Sequence, residues 1–196
     1  MDGGCDAAEA AGVGHRATKT WIMQNKHHEL DYSHMSMIAR LPPDAPAQWI
    51  VVYQAAKVVE GAGDMTLWGA FSNNALSWTK SKPLPIEKKK VLWSPVLHYD
   101  PGTDVRGAHD PHVKGYAPRR ARTLLFYTES TTCLRGADNG FRTARWSPGG
   151  DIKLVFTYDG ITWSTPRTIY HQAQDGHIPK VRAIRMWTRM LPRHAL

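Results

Sequence analysis

His98, Asp100, His109, Asp110 and His112 are the side chains that come nearest to a metal-binding set. Histidine and carboxylate together can hold zinc or similar ions. These residues fall in a Pro/Gly-rich, basic stretch, YDPGTDVRGAHDPHVKGYAPRRAR (99–122), with no rigid element to preset a coordination geometry. A solvated polar loop is the better reading, and neither a metal nor another cofactor is expected. Cys5 and Cys133 are the only cysteines, which excludes a disulfide framework and a four-thiolate zinc site. Neither has a histidine close by in sequence, so a thiol nucleophile has no support. Glu60 and Asp64 share the run EGAGD. A solvated glycine-rich turn is the simplest account of them. Basic clusters occur at 87–90 (EKKK), at Arg119, Arg120 and Arg122, and between Lys180 and Arg193. None is interleaved with aromatics at a stacking spacing, so specific nucleic-acid binding is not expected despite a net charge of +8.

The elements that must position these groups read as strands. The chain has 196 residues with 42% hydrophobic and 21% charged, enough for a packed core. Eight Trp among 16 Gly and 13 Pro suit an aromatic core with many turns. Strand candidates recur at 35–41 (MSMIARL), 49–53 (WIVVY), 65–71 (MTLWGAF), 91–97 (VLWSPVL), 123–127 (TLLFY) and 152–156 (IKLVF). Each is rich in β-branched and aromatic residues and is bounded by turn formers. WIVVY and TLLFY are continuously apolar, which predicts burial on both faces. No helical period is sustained before residue 178, so the expected fold is all-β. Residues 1–20 read as a flexible leader, 21–180 as the folded part with an insertion at 99–122, and 181–196 as a basic tail. No apolar run reaches the roughly 18 residues of a membrane span, and no secretory signal pattern opens the chain.

The strongest signal is an internal repeat. SNNALSWTKSKPLP from Ser72 and TYDGITWSTPRTIY from Thr157 lie 85 residues apart. They align Ser72 with Thr157, Asn74 with Asp159, Leu76 with Ile161, Ser77 with Thr162, Trp78 with Trp163 and Thr79 with Ser164. An Asn or Asp side chain in such a turn accepts bonds from backbone N–H groups, hydroxyls add more, and the Trp plugs the turn against a sheet. The two segments resemble the Asp-box (BNR) repeats of sialidases, roughly Ser/Thr-x-Asp-x-Gly-x-Thr-Trp. Asp159, Thr162 and Trp163 match that pattern in a turn one residue shorter. The first copy has Asn74 for Asp and no Gly. EGAGDMTLW (60–68), LWSPVLHYD (92–100) and LLFYTES (124–130) also resemble the order of elements in bacterial and plant sialidase-like proteins. The resemblance covers about residues 32–168.

That resemblance implies a six-bladed β-propeller glycoside hydrolase, an exo-alpha-sialidase (neuraminidase) that removes terminal sialic acid from glycans. In the family three arginines clamp the substrate carboxylate, an Asp is the acid/base, and a Tyr assisted by Glu is the nucleophile. Six blades of about fifty residues need roughly 300, so two to three blades are expected here. Their unpaired edge would favour self-association. The family's first clamp arginine aligns with His34, with Arg40 further along the same strand, and both are candidate substrate-binding residues. Glu60 and Asp64 lie in the region of the acid and are the candidate catalytic residues. Ser72, Asn74, Trp78, Thr157, Asp159, Thr162 and Trp163 are expected to be structural. The implied ligand is a sialylated or other acidic glycan. The expectation is a sialidase-like chain, truncated and weakly active or inactive. The alternative is a propeller segment that binds glycan or protein without catalysis.

Overall fold

The structure, a computed structural model, describes residues 19–23, 30–102, 119–134 and 145–172. These residues form an all-β molecule. Strands β1 (Tyr32–Arg40), β2 (Trp49–Ala56), β3 (Thr66–Ser72) and β4 (Lys82–Pro83) make a four-stranded antiparallel sheet in sequential order. Strands β5 (Leu92–Asp100), β6 (Arg122–Glu129), β9 (Asp151–Thr157) and β10 (Arg167–Tyr170) make a second four-stranded antiparallel sheet, again in chain order. Between β6 and β9 the chain forms a small ribbon, β7 (Cys133–Leu134) with β8 (Arg145–Trp146).

Alternation along β2 explains why its apolar run is continuous. Ile50 and Val52 point into a core shared with the second sheet, where Leu97, Leu125, Tyr127 and Val155 meet them. Tyr53 and Ala55 point to the other face and pack with Leu30, Met23 and Trp68. Side chains on a strand alternate between faces, so a strand covered on both sides carries no polar stripe. Each fully buried aliphatic side chain in the shared core contributes about 1.5–3 kcal/mol.

The first strand of each sheet is irregular at a corresponding place. The register of β1 against β2 shifts between His34 and Met37, and that of β5 against β6 between Trp93 and Val96. Met35 and Ser94 sit in these bulges with φ of 56° and 48°. Such a left-handed backbone is costly for residues with a Cβ, and it bends the strand locally.

The segment expected to be an insertion at 99–122 is shorter than its sequence suggests. Tyr99 and Asp100 continue β5 and pair with Thr123 and Arg122 of β6, so the strands consume both of its ends. His109, Asp110 and His112 lie outside the described residues, as does the tail at 181–196. Of the expected leader, residues 1–18 lie outside them too, while the Thr20 hydroxyl donates to Leu76 O at 2.6 Å.

Candidate functional site

The two repeated segments form the same turn, bond for bond, at the same place in each sheet: after its third strand. In the first, Ser72 Oγ accepts from the N–H groups of Asn74 and Ala75 at 3.2 and 2.8 Å. Asn74 Oδ1 accepts from Leu76 and Ser77 N–H, both at 2.9 Å. In the second, Thr157 Oγ1 accepts from Asp159 and Gly160 N–H at 3.2 and 2.7 Å. Asp159 Oδ1 then accepts from Ile161 and Thr162 N–H at 2.8 and 2.7 Å. Each turn closes with a reciprocal pair. Thr79 N–H donates to Phe71 O while Thr79 Oγ1 accepts from Phe71 N–H, and Ser164 does the same with Phe156. Trp163 packs against the shared core. The indole N–H groups of Trp78 and Trp163 are both buried and have no hydrogen-bond partner among the described residues.

The Asp159 carboxyl is charged in a way its partner Asn74 cannot be. Partial burial alone would raise its pKa. The amides of Thr162 and Ile161 and the hydroxyls of Thr157 and Thr162 outweigh that and hold it below the usual carboxylate range.

The candidate catalytic carboxylates lie at the opposite end of the strands, in the turn between β2 and β3. Asp64 is exposed, and its Oδ2 accepts from Lys57 N–H at 2.9 Å, so it staples that turn. Glu60 is half-buried beside Tyr32. Burial first, and then the Glu60 carboxylate, raise the Tyr32 phenol above its usual pKa, against a donor bond from Gln54. The Gln54 side chain is fully buried and joins the two sheets. Its Nε2 donates to Tyr32 Oη at 3.0 Å in β1, and its Oε1 accepts from Ser94 N–H at 2.8 Å in the bulge of β5. His34 follows on β1, exposed, with its ring centroid 6.3 Å from that of Tyr32.

Gly61, next to Glu60, has φ of 77°, and a Cβ there would lie 2.9 Å from Trp146 O. Only glycine accepts that approach without displacement, and it lets Trp146 N–H donate to Gly61 O at 2.9 Å. Strand β8, with half-buried Arg145, is thereby brought against the Glu60 turn. The floor of this end is Met65, Trp93 and Val91, with Tyr32 and Trp146 packed on them.

The structure therefore gathers Tyr32, His34 and Glu60 at one end and places Arg40 at the other. Arg40 pairs with Trp49 at the far end of β1, and its guanidinium stacks 5.2 Å from the indole centroid. Of the possible metal ligands within the described residues, His98 and Asp100 lie on β5, and Asp100 is committed to arginines. Its Oδ2 lies 3.1 Å from Arg122 and 3.7 Å from Arg119. Among the described residues no three histidine, cysteine or carboxylate side chains group as a metal site.

Sequence reasoning passed over Gln54, Ser94 and the Glu129–Lys153 ion pair. Glu129 is 5% exposed, and besides Lys153 Nζ it accepts from Lys90 N–H at 2.8 Å. Burial alone would raise its pKa, but the Lys153 ammonium and the amides of Lys90 and Lys89 hold it low. A glutamine and a glutamate inside otherwise apolar strands were the available signals, since polar groups are buried only with partners.

Compared with known proteins, the chain matches no family model, no curated protein and no solved structure.

Proposed function

We propose that this chain is a sialidase-like protein, two consecutive blades of an Asp-box β-propeller, whose Glu60 end faces an acidic glycan and binds it without hydrolysing it. The observation that carries the reading is the bond-for-bond recurrence of one turn after the third strand of two successive four-stranded meanders. The matching bulges in the two first strands support the same unit of repetition.

Hydrolysis needs a carboxylate clamp, an acid and a nucleophile held in one preorganised site. Here the first clamp position is His34, Arg40 lies at the wrong end of β1, and Asp64 is engaged by Lys57 N–H. What remains is a phenol, an imidazole and a carboxylate above the buried floor of Met65, Trp93 and Val91, with Lys90 Nζ 5.4 Å from the Trp146 ring centroid as a nearby cation. That set is suited to hydrogen-bonding a hydroxyl-rich acidic ligand.

Purified chain incubated with a fluorogenic sialoside should show no turnover above buffer. Turnover that Glu60→Gln abolishes would overturn the non-hydrolytic reading and identify the acid. Methyl α-sialoside should receive saturation transfer from the protein in NMR, and His34→Ala should remove it. A protein that gives no transfer to this sialoside is not an acidic-glycan binder.

A further inference from the structure

Where the two repeated turns come together, Pro46, Phe71, Trp78 and Ile161 form the apolar part of a groove of about 490 Å³. That volume lies within the usual range for small-molecule sites. The groove lies at the C-terminal ends of β3 and β9, the end of the strands away from Glu60. Its rim is polar, with Asn73, Ser77, Thr79 and Asp159. The bonds these groups already make fix what they have left to offer.

Asn73 Oδ1 accepts from Gln48 N–H at 3.1 Å, which leaves the Asn73 NH₂ to donate. Thr79 Oγ1 accepts from Phe71 N–H at 3.0 Å and keeps its hydroxyl proton to donate. One Asp159 oxygen takes both turn amides, so the second remains an acceptor. The Trp78 indole N–H, like that of Trp163, is buried and out of reach of solvent in the groove, so Trp78 offers the groove its ring and not its N–H.

We propose that this groove binds a neutral saccharide. An apolar floor containing an indole and a phenyl ring suits the C–H face of a pyranose, and separate donors and acceptors at the rim suit its ring of hydroxyls. Among the described residues Asp159 is the single charged one in the lining, with no cation there to offset its repulsion of an anionic sugar, whereas the Glu60 end carries Arg145 on β8 and Lys90 Nζ over the Trp146 ring. The ligand class is therefore distinct from the acidic glycan proposed for the Glu60 end. Both turns are needed, because Trp78 and Asn73 come from the first and Asp159 and Ile161 from the second.

Lactose is the probe. Saturation-transfer NMR and tryptophan fluorescence with full-length chain should show lactose binding with a Kd on the order of 1 mM. Trp78→Phe keeps a ring but presents a smaller apolar face, and it should weaken lactose binding about threefold with a melt close to the parent's. Ile161→Glu changes an exposed side chain at the mouth and should also weaken it about tenfold. It decides the matter if Trp78→Phe fails to fold. His34→Ala and Glu60→Gln should leave lactose affinity unchanged, and methyl α-sialoside should not displace lactose. Absence of lactose binding, full affinity in Ile161→Glu, competition by the sialoside, or loss in Glu60→Gln each overturns the groove as a neutral-sugar site. Failure of the acidic-glycan reading alone would leave the lactose result intact.

Discussion

Ala75 and Gly160 hold the same place in the two turns, and both backbones are left-handed, with φ of 57° and 80°. Only one of them has the residue that this geometry favours. An L side chain in that region costs roughly 1–2 kcal/mol, offset in part because alanine loses less chain entropy on folding than glycine, about 0.4–1 kcal/mol. Ala75→Gly should therefore stabilise the protein by about 0.5 kcal/mol. Gly160→Ala meets the opposite situation, since its Cβ would sit 2.8 Å from Phe71 Cε1 and 2.9 Å from Leu41 Cδ1. Backbone strain and crowding together should cost about 2 kcal/mol. Denaturant unfolding of the two variants checks both signs. If Ala75→Gly destabilises as much as Gly160→Ala, the two positions are not equivalent.

At the scale of the turn, one copy titrates and the other does not. The Asp159 carboxyl is held below its unfolded value, so its stabilising effect is complete above about pH 4 and is lost as pH falls through the folded pKa. Asp159→Asn places in the second turn the side chain that Asn74 supplies in the first. Stability of this variant should fall less steeply below about pH 4 than that of the parent. Asp100 and Glu129, depressed in the same direction, preserve part of the acid sensitivity. Identical acid limbs in the two proteins would show that the turn does not stabilise the charged form. The repeat was legible in sequence because its bonds are local: the Ser72 and Asn74 side chains reach amides two or three residues away. The long strands were legible for the same kind of reason, with WIVVY inside Trp49–Ala56 and TLLFY inside Arg122–Glu129. Strands β4, β7 and β8, of two residues each, were not, because ladder bonds to a neighbour define them and no side-chain period does. The meeting of Tyr32 with Glu60 escaped for a related reason. Tyr32 also takes a bond from Gln54 on the neighbouring strand and precedes the bulge between His34 and Met37, and neither feature has a local signature.

For the molecule as a whole, the shared core couples the sheets, and among the described residues β1 pairs on one side only. It stands last in its sheet, and Met35, Met37 and Ile38 are 46%, 36% and 50% exposed. An edge strand carrying apolar side chains is a template for pairing with another chain, and a second copy of this chain has the matching edge. A net charge of +8 opposes such an encounter over a Debye length of about 10 Å at 0.1 M salt. Association through β1 should therefore be weak at low ionic strength and should strengthen as salt screens the repulsion. That is the reverse of an ion-paired interface. Sedimentation velocity at low and high sodium chloride tests this, with Ile38→Lys as the control. The substitution adds a charge to an exposed position and should leave the melting temperature within about 2 °C of the parent's while keeping the chain monomeric in high salt. A chain that stays monomeric in high salt without the substitution, or an association that survives Ile38→Lys, would rule out β1 as the contact.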